Sequence, residues 1–463
     1  MIPLTLTEVA AAAGGRLAGV PDPDRPVTGT VVVDSRLVRL GDLFVALPGE
    51  RVDGHAFAAA AVRSGAVAVL ASRAVGVPAV VVPHAVAGLG RLAHEVLSRR
   101  SATGDLTVVG ITGSSGKTGT KDLLASLLAP LGDTVVPAGS FNNEIGLPLT
   151  VCRITPTSRF LVLEYSARGL GQIAALCRVA PPRVGVELNV GTAHLGEFGS
   201  RSAIARAKTE LVEALPADGV AVLNADDATT LAMRAATTAR VLTFGRSAAA
   251  DVRATGVRLD AAGRASYTLH TPVGSALVRL AQHGEHLVAN SLAAAAVAVE
   301  LGARPSAVAA GLATARPASR WRMEVRETPD GVTVVNDAYN ANPESMAAAL
   351  RALAAMSAGR RSWAVLGEMA ELGPASVEEH EVVGRLVADL GIDRLVVVGP
   401  AAGPIDAVAA AAGRRSESVP DVATAVELLR SQLRPGDVVL VKASRAAGLE
   451  RVAGALVPVG VPG

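Results

Sequence analysis

The run Gly113-Ser114-Ser115-Gly116-Lys117-Thr118 has the residue types that wrap a polyphosphate. Glycines let consecutive backbone N–H groups turn toward anionic oxygens, and a helix opening at the lysine adds the positive end of its dipole. Lys117 has the reach for terminal phosphates, and the Thr118 hydroxyl suits a Mg²⁺ ion. The strict G-x-x-x-x-G-K-[ST] pattern is not met, because Ile111 stands where its first glycine belongs, so the motif is the shorter G-x-x-G-K-T. Two other residue types belong to the same chemistry. Glu164 closes the run Arg159-Phe160-Leu161-Val162-Leu163, and His194 follows Asn189-Val190-Gly191-Thr192-Ala193. Open α/β sheets bind ligands beyond the carboxyl ends of their strands, where a phosphate-bridging cation needs oxygen or imidazole partners. Asp34-Ser35-Arg36 ends a β-branched run, and Asp53-Gly54-His55 ends a polar turn. For these two a ligand contact competes with a solvated turn or a helix cap.

Such groups need a scaffold to converge. Residues 106–111 predict a strand and 118–128 a helix, which puts the glycine loop between them. Further strands at 160–163, 184–188 and 220–223 alternate with helical patterns, the signature of a parallel, doubly wound sheet. Residues 251–280 alternate Thr, Val and Leu about Gly274 and read as antiparallel, and 290–301 is an Ala-rich helix. Upstream, residues 30–33 and 41–47 with a short helix at 56–64 form a small α/β unit. Downstream, strands at 332–335, 363–366, 394–398 and 437–441 alternate with helices in a Rossmann-like α/β unit. The polar stretch from Ser98 to Gly104 reads as a hinge, and Ala315-Arg316-Pro317-Ala318-Ser319 as the next boundary. The expected fold class is therefore α/β in three domains, at 1–100, 101–315 and 316–463.

Bulk properties exclude competing classes. The 463 residues are 50% hydrophobic and 19% charged, with aromatics at 2%. Ala, Val and Leu dominate, which suits sheets covered on both faces. A net charge of +2 with no basic run interleaved with aromatics argues against nucleic acid. Mean hydropathy is +0.39, yet the most apolar stretch, 65–82, is broken by Arg73 and Pro78 and reads as strand, turn, strand rather than a membrane span. The first residues carry neither a basic flank nor an apolar signal core, so a cytoplasmic protein is expected. Cys152 and Cys177 lack metal or redox spacing and read as buried, inert thiols.

Several separated stretches resemble the Mur ligase family: Phe141-Asn142-Asn143-Glu144-Ile145-Gly146-Leu147-Pro148, residues 189–195, Ala205-Arg206-Ala207-Lys208-Thr209-Glu210-Leu211, Ser319-Arg320-Trp321-Arg322-Met323-Glu324, Asn336-Asp337-Ala338-Tyr339-Asn340-Ala341-Asn342-Pro343 and Val441-Lys442-Ala443-Ser444-Arg445. The shortened phosphate loop is itself a feature of that family, and the resemblance spans nearly the whole chain. It implies an ATP-dependent peptide ligase of cell-wall precursor synthesis, serving cell shape and division. Its partners would be UDP-N-acetylmuramoyl-tripeptide and D-alanyl-D-alanine, joined through an acyl phosphate. It also implies that the N-terminal domain holds the uridine nucleotide, through Asp34, Ser35, Arg36, Asp53 and His55. Asn142 and Asn143 would touch substrate. Gly113 to Thr118, Asn290, Arg320, Asp337 and Asn340 would hold ATP, with Lys117, Glu164, His194 and Lys208 catalytic. Thr118 and Glu164 would bind one Mg²⁺, and His194 with a carbamoylated Lys208 a second. Read alone, Lys208 is a helix-surface lysine, and Asn340 and Asn342 equally stabilise an Asn-Pro turn. A monomer is expected. After Glu164 this chain has Tyr165-Ser166, and Gly119 and Leu287 also depart from the family pattern. These departures raise an altered acceptor such as D-Ala-D-lactate as an alternative; a nucleotide-binding regulatory module without ligase chemistry is another.

Overall fold

The computed structural model describes residues 1–49, 52–193 and 195–457. Three main sheets build it. In the first, the strands Val31–Val32, Leu43–Val45, Ala68–Ala71 and Ala79–Val81 pair in parallel, and Arg16–Ala18 closes the edge antiparallel. The apolar stretch 65–82 thus supplies two buried strands, as its Arg and Pro interruptions require.

The central sheet has nine strands, in the order Gly274–His283, Arg264–Thr271, Val252–Leu259, Arg240–Gly245, Val220–Asn224, Val184–Glu187, Thr107–Thr112, Ser158–Glu164 and Asp133–Val135. Pairing is parallel from Asp133–Val135 as far as Val252–Leu259, and the last two strands run antiparallel. Thr107–Thr112 lies between Ser158–Glu164 and Val184–Glu187, with successive connections leaving to opposite sides, so a crevice opens at its carboxyl end. Covered on both faces, the inner strands Thr107–Thr112, Ser158–Glu164, Val184–Glu187 and Val220–Asn224 are mostly buried apolar residues. Two adjacent glycines make the exception: Gly110 pairs with Gly185. A Cβ on Gly110 would lie 2.8 Å from Cε2 of Tyr165, and one on Gly185 3.2 Å from Cδ1 of Leu215. The bare patch lets covering side chains reach the sheet.

The third sheet runs Glu324–Glu327, Thr333–Asn336, Val438–Lys442, Ser362–Leu366, Arg394–Val398, Arg415–Val419, parallel except for its first pair. Among the described residues no helix is long and apolar enough to cross a membrane.

One expectation fails. The polar stretch Ser98 to Gly104 is not a hinge, because the helix Ala85–Ser101 runs through most of it. Arg100 is only 3% exposed and its Nη2 donates to the Ser158 carbonyl at 2.6 Å, fastening this helix to the central sheet. Polarity suggested solvent here; the guanidinium instead finds a buried acceptor. One apolar cluster accordingly joins Leu89, Leu92 and Val96 of this helix to Val108, Leu161 and Leu163 of the central strands.

Candidate functional site

The glycine loop leaves the strand Thr107–Thr112 and enters the helix Lys117–Leu128. Gly113 and Gly116 have φ of 150° and 85°. The left-handed Gly116 also leaves room for Asn290, whose Oδ1 would sit 2.5 Å from a Cβ there. Gly119 faces the same asparagine, at 3.1 Å from Nδ2. A larger residue at 119 would crowd Asn290, itself only 8% exposed, against the loop. Lys117 Nζ donates to the Gly113 carbonyl at 2.6 Å, folded back over its own loop. Desolvation pushes its ammonium below the ordinary range and Arg322 adds to this, while Glu164 and Glu187 oppose it. Ser114 and Ser115 donate their backbone N–H groups to the carbonyl and side-chain oxygens of Asn189, both at 3.0 Å.

Glu164 is fully buried at the end of its strand. Its Oε2 accepts from Thr118 Oγ1 at 3.2 Å and from Asn142 Nδ2 at 3.4 Å, while Oε1 has no partner. Thr118 also meets Ser140 Oγ at 2.9 Å. Tyr165 does not crowd this cluster: its hydroxyl, on the opposite face of the strand, donates to the Ala180 carbonyl. Asn143 uses its Oδ1 to accept the N–H groups of Ile145 and Gly146 at the start of the helix Gly146–Val151.

Lys208 projects from the helix Arg201–Glu213 and is half-buried, not a free surface lysine. Desolvation lowers its pKa, Lys117 adds to the effect, and Glu187 opposes it. Glu187 escapes sequence reading. It is fully buried beside Thr112, and neither carboxylate oxygen has a partner. Burial raises its pKa well above the usual range, against the pull of Lys208 and Lys117. Its one signal is an acid ending the apolar run Val184-Gly185-Val186, which is costly only if the acid is buried. His194 lies outside the described residues.

The third domain closes over this edge. Asp337 follows Thr333–Asn336, and its Oδ2 accepts from buried Lys442 Nζ at 2.6 Å, while Oδ1 accepts the Met323 N–H at 3.0 Å. Lys442, at the end of the neighbouring strand, also donates to the Asn340 carbonyl at 2.8 Å. Nothing local in the sequence marks Lys442 for a role, yet it is what fixes Asp337. Arg320 is exposed in the turn just after the expected 315–319 boundary. Two residues on, Arg322 donates to Ser140 Oγ at 3.0 Å and stacks 4.2 Å from the Tyr339 ring. Trp321 and Met323 flank it with φ of 58° and 46°, a conformation side chains avoid. Asp122, on the phosphate-loop helix, accepts the Ser319 N–H at 3.0 Å and pairs with Lys121 at 2.7 Å. Beside His286 a cavity of about 370 Å³ opens between the central and third domains, lined among others by Arg246, Ala289 and Arg351.

In the first domain, Asp34 caps the turn Ser35–Leu37 and pairs with exposed Arg36, which holds its carboxyl at about 2. Asp53 accepts the His55 N–H at 3.0 Å, meets His55 Nδ1 at 2.6 Å and pairs with Arg73 at 2.7 Å. The ring's Nε2 accepts the Ser72 N–H at 3.1 Å. These groups follow the carboxyl ends of three parallel strands, so they share one edge.

Fold and site define a phosphate-loop α/β protein whose nucleotide edge is covered by a second α/β domain. Residues 29–107, 111–298 and 321–445 match, in turn, the Mur ligase family catalytic domain, the Mur ligase middle domain and the Mur ligase glutamate ligase domain. A UDP-N-acetylmuramoyl-tripeptide–D-alanyl-D-alanine ligase of Mycobacterium tuberculosis is 51% identical over 501 residues, covering 99% of this chain and 98% of its own. The crystal structure of MurF from Acinetobacter baumannii matches with a TM-score of 0.86 at 33% identity over 98% of both chains. MurF ligase from Thermotoga maritima in complex with ADP matches with 0.78 at 33% identity, over 93% of this chain and 97% of that one. The chain belongs to the Mur ligase family.

Proposed function

We propose that this chain is an ATP-dependent ligase joining D-alanyl-D-alanine to the peptide carboxylate of UDP-N-acetylmuramoyl-tripeptide, in peptidoglycan precursor synthesis. The end-to-end likeness to a ligase of that name carries the reading. The substrate carboxylate attacks the γ-phosphate of ATP, giving ADP and an acyl phosphate, and the dipeptide amine then displaces phosphate. Lys117 follows and offsets the charge of the transferring phosphoryl group. Asn290, Arg320, Asp337 and Asn340 hold the rest of the nucleotide, and third-domain closure keeps water from the acyl phosphate.

Thr118 and Glu164 fit a Mg²⁺ ion, since buried Glu164 Oε1 has no protein partner. His194 and Lys208, the latter as its carbamate, would hold a second ion. Bound there, the cations would neutralise phosphate charge and polarise the γ-phosphoryl group. Asp34, Ser35, Arg36, Asp53 and His55 take the uridine nucleotide, and Asn142 and Asn143 the muramoyl peptide. The work divides among residues 1–100 for the uridine substrate, 101–315 for ATP and 316–463 for ATP and dipeptide. The protein acts as a cytoplasmic monomer.

The departure at Tyr165 gives no support to an altered acceptor, because that side chain points away from Glu164. Phosphate release with ATP, muramoyl tripeptide and dipeptide, followed by the mass of the product, tests the reading. Release that needs both acceptor and donor supports it, and release independent of either sinks it. Lys117→Ala should abolish product.

A further inference from the structure

The segment from Asn189 to Thr192 is held from two sides. On one side it meets the phosphate loop, through the Asn189 bonds above and through Gly191, whose N–H donates to Ser114 Oγ at 2.9 Å. On the other it meets the helix Pro343–Met356 of the third domain. Glu344 Oε1 accepts both the Thr192 N–H at 2.6 Å and Thr192 Oγ1 at 3.1 Å. The approach is close enough that a Cβ on Gly191 would lie 2.2 Å from Glu344 Oε1. Glu344 Oε2 is buried without a partner, so the carboxylate is desolvated to make this contact.

The sequence prepares the helix end for the task. Asn342 accepts the Ser345 N–H at 2.8 Å and caps the first turn, and Pro343 fixes its first residue. A carboxylate in that turn is favoured by the helix dipole. The Asn342 amide also donates to the Ser114 carbonyl at 3.4 Å. One helix terminus therefore touches the phosphate loop and the segment bracing it.

We propose that Glu344 is a positioning residue that couples third-domain closure to the phosphate loop: seated on Thr192, it fixes the bracing segment, and through Ser114 and Ser115 the loop itself. This rests on the ligase reading for its consequence in turnover, and on geometry alone for its consequence in mobility. Two measurements separate them. Hydrogen exchange across residues 189–193 should quicken about 10- to 100-fold in Glu344→Ala, the worth of one charge-assisted hydrogen bond or more. Ligase kcat should fall by a similar factor while ADP affinity stays near wild type. Glu344→Gln, which keeps the accepting oxygen but not its charge, should recover part of both losses. Gly191→Ala, which displaces Glu344, should behave like Glu344→Ala, with melting curves confirming that each variant is folded. Wild-type exchange in Glu344→Ala overturns the proposal. So does a Gln variant as impaired as Ala, because the accepting oxygen would then not be what holds the segment. A wild-type protein without ligase turnover would remove the ligase reading and leave the exchange result to decide the contact.

Discussion

Lys117, Thr118 and Glu164 are legible in the sequence because a local pattern places each at the end of a strand or the start of a helix. Glu187, Lys442 and Glu344 are not: the partners of Lys442 and Glu344 come from distant segments, and a lone acid after an apolar run, as at Glu187, also reads as a chain turning to solvent. Tyr165 shows the converse: its hydroxyl invites a functional reading, yet it serves the Ala180 carbonyl. Tyr165→Phe should cost about 1–2 kcal/mol in urea unfolding, the worth of one buried hydrogen bond, and leave acceptor preference unchanged. A shift toward D-Ala-D-lactate would revive the altered-acceptor reading. Burial pushes the Cys152 and Cys177 thiols up from 9.0 to about 12. Because the folded pKa is the higher, their stabilising contribution is complete below pH 9.0 and lost as pH climbs toward about 12. Neither should react with a thiol reagent in the folded protein at mildly alkaline pH, and both should on unfolding.

Elements were easier to read than their ends. The expected strand at 160–163 extends over Ser158–Glu164, and the helix expected at 290–301 is Leu287–Glu300. Strands with both faces covered leave long apolar runs that survive any choice of boundary. The Ser98 to Gly104 misreading has the opposite cause: composition reports polarity and cannot report that Arg100 has a buried acceptor. The Gly110–Gly185 pair was equally invisible, because its purpose lies in the covering layer. Gly110→Ala should destabilise by about 1–3 kcal/mol through overpacking against Tyr165, measurable as a lower urea midpoint with an unchanged slope.

For the whole molecule, the seam between central and third domains matters most. Lys121 and Asp122 are 1% and 5% exposed and hold Ser319 at the boundary between the two domains. Asp122→Ala would leave Lys121 buried without its counter-charge, at a cost of about 3–5 kcal/mol. Small-angle scattering should then show a more open molecule, and an unchanged profile would deny the pair a role in holding the two domains together. These contacts also fix an order of events in the making of the protein. Ser319 lies 197 residues beyond Asp122, and Glu344 152 beyond Thr192. At about 5–20 residues per second, a ribosome needs roughly 10–40 s to span such gaps. A nascent chain therefore carries its phosphate loop for at least that time before the third-domain residues that cover it have been made.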